Sequence, residues 1–329
     1  LWGVAIGLRA ATPLTVLCYH DVAETASSHT LGYHVTPTAL VRQLDWLKNN
    51  GYHFVSLDEV LADRAGRKPL PPRSVLLTFD DGYRSFYTHV FPVLKLFKAP
   101  AVLALVGSWV EPEKGSVNYD GHPIPRADLM QWSELREVVA SGLVEVASHS
   151  YDLHHGIQGN PQGNLQPAGT TRAWDPKTRM YESEAAYVAR VRSDLERNQV
   201  LLKRMLGRAP RAVAWPYGRY NARLVQVASE LGLTVGFTLD DGPNTAEVPV
   251  GRIRRILMMT AMTLPDLRWA IESRWTPVVD GGRANRIMHV DLDYIYDPDP
   301  ALQEDNLGRL LERIVAVNLG TLRPGARVT

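Results

Sequence analysis

One cysteine, Cys18, is all the thiol this sequence has, which excludes any disulfide framework within the chain. It does not fix the compartment, because exported proteins often carry no disulfide at all. No apolar stretch approaches the ~20 residues that a membrane-crossing helix needs. Neither charge is in surplus: Lys plus Arg is 36 against 35 for Asp plus Glu. Net charge therefore gives no argument for nucleic acid or an anionic membrane as a partner, and no nucleic acid is expected. What remains is 329 residues of ordinary globular composition, long enough for one large domain or one domain and part of another.

The opening "LWGVAIGLRAATP", residues 1–13, reads as the tail of a trimmed export signal. From Leu14 to about Trp275, strand-like and helix-like segments alternate. "LTVLCYH", "SVLLTF" and "APAVLALV" are short, apolar and partly β-branched, as buried strands are, and Cys18 is expected inside the first. Between them "PTALVRQLDWLKNNG" spaces Leu40, Leu44 and Leu47 for a helix, with Gly51 as its stop. Further helices are expected over 128–142, with Gly142 as the stop, 183–206 and 222–231. Such alternation implies a mostly parallel sheet, doubly wound or closed as a barrel, whose ligands gather where the strands end. Residues 155–181 are rich in Gly, Pro, Gln and Asn, show no period, and read as a long loop lining the substrate.

Three polar clusters follow three apolar strands: Asp80 and Asp81 in "LLTFDDGY", His149, His154 and His155 in "ASHSYDLHHG", and "WPYG" at 215–218. Adjacent aspartates before a glycine are often only a turn, and a lone histidine pair often only packs. Together they supply the two imidazoles and one carboxylate of a catalytic zinc-type site with an open position. The second carboxylate then has work as a proton acceptor. In an extended strand Asp80 and Asp81 would point to opposite faces, so both reach one cleft only if the strand turns there. His149 and His154, five apart, would stand ~140° apart on a helix, so a shared ion needs them on a loop.

"TFDDGY", "SHSYDLHH" and "WPYGRYN" resemble the motifs of the polysaccharide deacetylase family, carbohydrate esterase family 4, over roughly residues 14 to 275. "CYHDV", the "GNPQGN" insertion and "MHVDLDYIYD" resemble most the periplasmic branch acting on poly-β-1,6-N-acetyl-D-glucosamine in biofilm export. The resemblance implies a distorted (β/α)7-type barrel and one divalent ion: zinc, or else cobalt, nickel or iron. It makes Asp80 the general base and Asp81, His149 and His154 the metal ligands, with His155 as the substitute for His154. Trp215, Pro216 and Tyr217 become substrate contacts, and the Tyr217 backbone N–H helps hold the oxyanion. It also implies a polysaccharide substrate, an outer-membrane export porin as partner, and a periplasmic, membrane-anchored setting.

Two features depart from the family pattern. Ala214 stands where an arginine is common, and "RIRRILMMT" lacks the late histidine that serves as general acid. His20 is the replacement expected, either giving the proton to the leaving amine or only orienting Asp80. Other readings are a deacetylase of chitin, peptidoglycan or xylan, a polysaccharide-binding export protein without activity, or a hydrolase of small amides. Trp174, Tyr181 and Tyr220, expected to be exposed, weigh against the last. Residues 276–286 read as a linker, and 287–329, with Asp291 and Asp293 on one face of a strand, as the truncated start of a glycoside-hydrolase barrel. A complete barrel takes about 250 residues, so no glycosidase activity is expected from this segment.

Overall fold

The computed structural model describes residues 14–25, 30, 32–119, 121–272, 279–280 and 283–284. The export-signal reading of 1–13 and the second-barrel reading of 287–329 lie outside them, as does most of the 276–286 linker.

The central sheet contains β1 (Leu14–Tyr19), β2 (Ser74–Phe79), β3 (Ala101–Leu105), β4 (Val144–Ser148), β5 (Ala212–Ala214), β6 (Val235–Thr238), β7 (Ile253–Arg254) and β8 (Ile256–Leu257). Its order is β7-β6-β5-β4-β3-β2-β1-β8, and these neighbours pair in parallel. The edge strands β7 and β8 are consecutive in the chain with only Arg255 between them. One extended segment thus pairs with β6 through Ile253 and with β1 through Ile256, and the sheet closes on itself. Six strands and this closing segment are the staves of the (β/α)7-type barrel.

Both faces of the staves are buried, as parallel strands require. Alternate residues Leu14, Val16, Leu76, Val102, Ala104, Ala147, Ala214, Phe237 and Ile253 form one cluster inside the barrel. Their neighbours Leu17, Tyr19, Leu77, Phe79, Leu103 and Leu105 face outward into the shell of helices. That shell includes α1 (Pro37–Asn49), with Leu40, Leu44 and Leu47 buried as their spacing predicts. Helix α1 begins at Thr36, whose hydroxyl accepts from the Ala39 N–H, with Pro37 in the first turn. It also includes α2 (Leu57–Arg64), α3 (Phe91–Phe97), α4 (Trp132–Ala140), α5 (Glu184–Leu206), α6 (Ala222–Glu230) and α7 (Leu264–Glu272).

The 155–181 insertion is more ordered than its composition suggests. It forms two hairpins, Gly156–Gln158 with Leu165–Pro167 and Trp174–Asp175 with Met180–Tyr181. Its backbone is fastened to α5 and α6: Arg190 donates to the Ala168 and Thr171 carbonyls and Asn221 to that of Thr170.

Candidate active site

The inward rows of the staves do not stop where the core stops. Continuing β1 past Leu14 and Val16 gives Cys18 and His20; continuing β2 past Leu76 and Thr78 gives Asp80. Ala147 leads to His149, and Ile253 to Arg255 and Leu257. Period-two alternation thus carries five polar side chains to the C-terminal mouth of the barrel. His20, Asp80, His149 and Arg255 line one cavity of about 160 Å³, walled by Tyr33, Tyr83, Tyr119 and Tyr217, with Cys18 buried beneath it.

Asp81 follows Asp80 and would face away if the strand ran on. It does not, because its backbone adopts a left-handed φ of 77°, and Gly82 repeats that sense at 89°. Asp81 thereby accepts backbone strain, and both carboxylates enter the cavity. The positive φ at Gly82 is what favours glycine; a Cβ there would also lie 2.8 Å from Leu105 Cδ2, so that side chain would have to shift.

Asp81 Oδ1 lies 3.4 Å from His149 Nε2 and 3.6 Å from His154 Nε2, is buried, and has no hydrogen-bond partner among the described residues. Such spacing is the edge of a tetrahedron whose centre lies ~2.1 Å from each corner, the length of a zinc–nitrogen or zinc–oxygen bond. His149 Nδ1 lies 2.8 Å from the Ala214 carbonyl oxygen. A carbonyl only accepts, so Nδ1 carries the proton and Nε2 is the ring atom turned to Asp81. Burial alone would push this imidazole down, but the Asp80 and Asp81 carboxylates outweigh it and push it up, so an ion binding at Nε2 competes with a proton there. Burial pushes the His154 imidazole down to about 4, keeping it neutral and able to ligate near pH 7. The three residues fit a divalent cation. His155 takes no place in the set; its backbone carbonyl accepts from Ala168.

A second triple, Cys18, His20 and Asp80, is also within 4.8 Å, but its charge is already balanced. Arg255 Nη1 donates to Asp80 Oδ1 at 2.8 Å, and the Cys18 thiol to Oδ2 at 3.5 Å. Burial would push the Asp80 carboxyl up; the Arg255 guanidinium, helped by His149, reverses this and holds it well below the usual carboxylate range. Burial raises the Cys18 thiol, so it is no ready thiolate ligand. Asp80 is therefore a permanently ionised carboxylate beside the cation set, not part of a second one.

Arg255 has no counterpart in the sequence reading, which took "RIRRILMMT" only for its lack of histidine. Its position midway in an apolar strand was the available signal. It supplies the guanidinium that Ala214 cannot. His20 lines the same cavity, its Nδ1 buried without a hydrogen-bond partner among the described residues.

Of the expected substrate contacts, Trp215 and Tyr217 line the cavity, whereas Pro216 is buried and does not. Tyr217 has a left-handed φ of 59°, and its ring centroid stands 4.6 Å from that of His154. The expectation that Tyr220 is exposed fails: it is 5% accessible, stacks near Trp215 and donates to Asp240. Trp174 and Tyr181 pack on each other across their hairpin, and no residue of 155–181 lines the cavity. The aromatic walls come from elsewhere, including Tyr119 on the hairpin Ser116–Tyr119/His122–Pro125, against His154 and Trp109.

Comparison with known proteins agrees with this geometry. The model of the polysaccharide deacetylase family matches residues 67–236. The deacetylase domain of BpsB from Bordetella bronchiseptica is 41% identical, and the match covers 74% of this chain and 94% of that one with a TM-score of 0.67. The chain belongs to the polysaccharide deacetylase family. A de-N-acetylase from Aggregatibacter actinomycetemcomitans superimposes with a TM-score of 0.72 at 32% identity, over 78% of this chain and 99% of that one. Poly-β-1,6-N-acetyl-D-glucosamine N-deacetylase of Escherichia coli K12 is 36% identical over 307 residues, 93% of this chain but 45% of the relative. The chain thus spans less than half the length of that relative. A second model, hypothetical glycosyl hydrolase family 13, matches residues 289–323, outside the described part.

The donor geometry predicts that the metal-free protein takes up one divalent ion per chain. Calorimetric titration is expected to show that site lost in His149→Ala and in His154→Ala, and kept in His155→Ala.

Proposed function

We propose that this chain removes N-acetyl groups from a β-1,6-linked N-acetylglucosamine polymer, releasing acetate and leaving free amines. The observation that carries the reading is Asp80, held ionised by Arg255, beside Asp81, His149 and His154 in one tyrosine-walled cavity. The polymer is chosen because the Escherichia coli relative and one from Staphylococcus epidermidis, 28% identical over 226 residues, are both named for it.

A divalent ion, with zinc first and cobalt, nickel or iron as alternatives, supplies positive charge at the acetamide carbonyl and a water of lowered pKa. Asp80 takes the proton of the attacking water; Arg255 and Cys18 fix the carboxylate while leaving lone pairs free for that task. The Tyr217 N–H donates to the oxygen on which negative charge develops. His20 gives the proton to the departing sugar nitrogen, and the tyrosines hold the sugar rings at the mouth. The setting belongs to the same proposal: a periplasmic, membrane-associated enzyme passing its product to an outer-membrane export porin.

The test is acetate release from poly-β-1,6-N-acetylglucosamine oligomers by ion-loaded protein, beside chelated protein and His149→Ala. Release by the loaded parent alone supports the deacetylase. No release with the ion bound, and chitin oligomers also untouched, leaves only a polysaccharide-binding role. His20→Ala is expected to slow amide hydrolysis by about 10²–10⁴-fold and to spare an activated phenyl acetate, whose leaving group needs no proton. Equal losses on both substrates would make His20 an orienting group.

A further inference from the structure

The two histidines of the cation set stand on the loop after β4, and the five-residue step between them leaves an irregular turn in which Ser150 has a left-handed φ of 67°. A turn of this kind exposes amides that the barrel cannot pair. Asp194, in the middle of α5, meets them. Its Oδ1 accepts from the Tyr151 N–H at 2.8 Å and its Oδ2 from the Asp152 N–H at 2.7 Å. One carboxylate thus clamps two consecutive peptide groups midway between His149 and His154. Burial pushes this carboxyl up to about 6, so it is ionised at neutral pH and accepts both bonds.

Other contacts close the loop from the remaining sides. The Gly107 and Ser108 amides donate to the Ser150 and Tyr151 carbonyls at 3.1 and 2.8 Å. The Ser150 hydroxyl accepts from the Leu153 N–H at 3.0 Å. One turn after Asp194, Asn198 donates to the Ser148 hydroxyl and the Leu105 carbonyl, tying α5 to the ends of β4 and β3. Gly107 must be glycine for this, because a Cβ there would meet Asn198 Oδ1 at 2.4 Å and the Tyr151 ring at 2.7 Å. None of these contacts is needed to bury the core. Helix α5 already packs through Tyr187, Val191, Leu195 and Leu202.

We infer that Asp194 is a positioning residue for the cation set: it fixes the loop so that His149 and His154 present their Nε2 atoms to Asp81 together, and so sets the affinity for the ion. The inference rests on the cation reading of Asp81, His149 and His154 given above. Groups that orient ligands from behind are worth about 10–100-fold in metal affinity when removed.

The experiment titrates metal-free protein with Co²⁺ alone, reading the dissociation constant by chelator competition and the ligand field by visible absorption. It compares the parent, Asp194→Asn, Asp194→Glu, and Leu201→Ala as a truncation of a buried apolar residue on the same helix. In Asp194→Asn an amide N–H faces one of the loop amides, donor against donor. Asp194→Glu keeps the charge but displaces it by a methylene. Co²⁺ affinity is expected to fall about 10–100-fold with an altered spectrum in Asp194→Asn, by less in Asp194→Glu, and not at all in Leu201→Ala. Parent-like affinity and spectrum in either folded Asp194 variant would overturn the inference, as would an equal loss in Leu201→Ala. Failure of the parent itself to bind Co²⁺ would overturn the cation reading and this inference with it.

Discussion

Asp80→Asn is expected to lower acetate release by about 10²–10⁴-fold, the usual worth of a positioned proton acceptor, while the chain still binds its divalent ion. Asp81→Asn is expected to lose the ion and the activity together. The two side chains are adjacent and equally buried, so the difference is one of partners. Asp80 is already neutralised by Arg255, and a second cation on the same carboxylate would meet the guanidinium. Asp81 has no such cation, its Oδ1 is without a hydrogen-bond partner, and two imidazole nitrogens converge on it. Asn at position 80 keeps the volume but leaves Arg255 buried without a countercharge. The variant is therefore to be assayed well below its melting temperature, with circular dichroism confirming the fold. Metal content by atomic emission, measured beside acetate release, separates the roles. An Asp80→Asn protein that loses its ion, or an Asp81→Asn protein that keeps it, reverses the assignment.

The parts of this site that were legible in the sequence are those whose meaning is local. Asp80 and Asp81 end an apolar run, and His149 and His154 follow another; each group announces a strand end by contrast with what precedes it. The parallel α/β architecture is legible for the same reason, since strands buried on both faces leave unbroken apolar runs between amphipathic helices. That the sheet closes as a barrel follows only from the motif resemblance. Arg255 was not. It lies 175 positions from Asp80 in the chain, and the pair exists only because a single residue joins the two edges of the sheet. Asp194 is hidden in the same way, one acidic residue among several on a helix that also shows exposed charge. The aromatic residues were misread because hydrophobic size alone does not say which side of a wall a ring occupies. Tyr220 is buried and donates to the half-buried Asp240, and the rings at the mouth are carried by short excursions whose sequences show no period. Arg126 shapes one of these: it is 2% accessible and donates to the carbonyls of Pro112, Val110, Leu129 and Met130, folding back the hairpin that bears Tyr119.

Arg255→Met is expected to damage both stability and catalysis, and the direction of its pH dependence makes the prediction specific. Removing one partner of a fully buried ion pair leaves the other charge uncompensated, at a cost of about 3–5 kcal/mol. In the parent, Arg255 holds the Asp80 carboxyl below its unfolded range. That pairing contributes stability at every pH above the unfolded carboxylate pKa, ~3.9, and loses it only as pH falls through the lower folded value. Without Arg255 the burial that favours the neutral acid is unopposed by its strongest counterweight, and the folded pKa moves up. A raised carboxyl acts with the opposite sign: it favours folding in acid and loses that contribution as pH rises through the folded value. The stability gap between parent and variant should therefore be widest near neutral pH and narrow toward pH 4, as urea unfolding at several pH values will show. Catalysis should follow the same titration. A protonated Asp80 cannot accept the proton of water, so the acid limb of kcat/KM should move to higher pH, with activity partly regained in alkali. Arg255→Lys keeps the charge but cannot bond Thr78, Asp80 and the Thr238 carbonyl at once as the guanidinium does. It should restore most of the acid limb and less of the stability. An Arg255→Met protein with the parent's pH profile would mean that Asp80 is kept ionised by the cation site alone, and that Arg255 serves only to close the barrel.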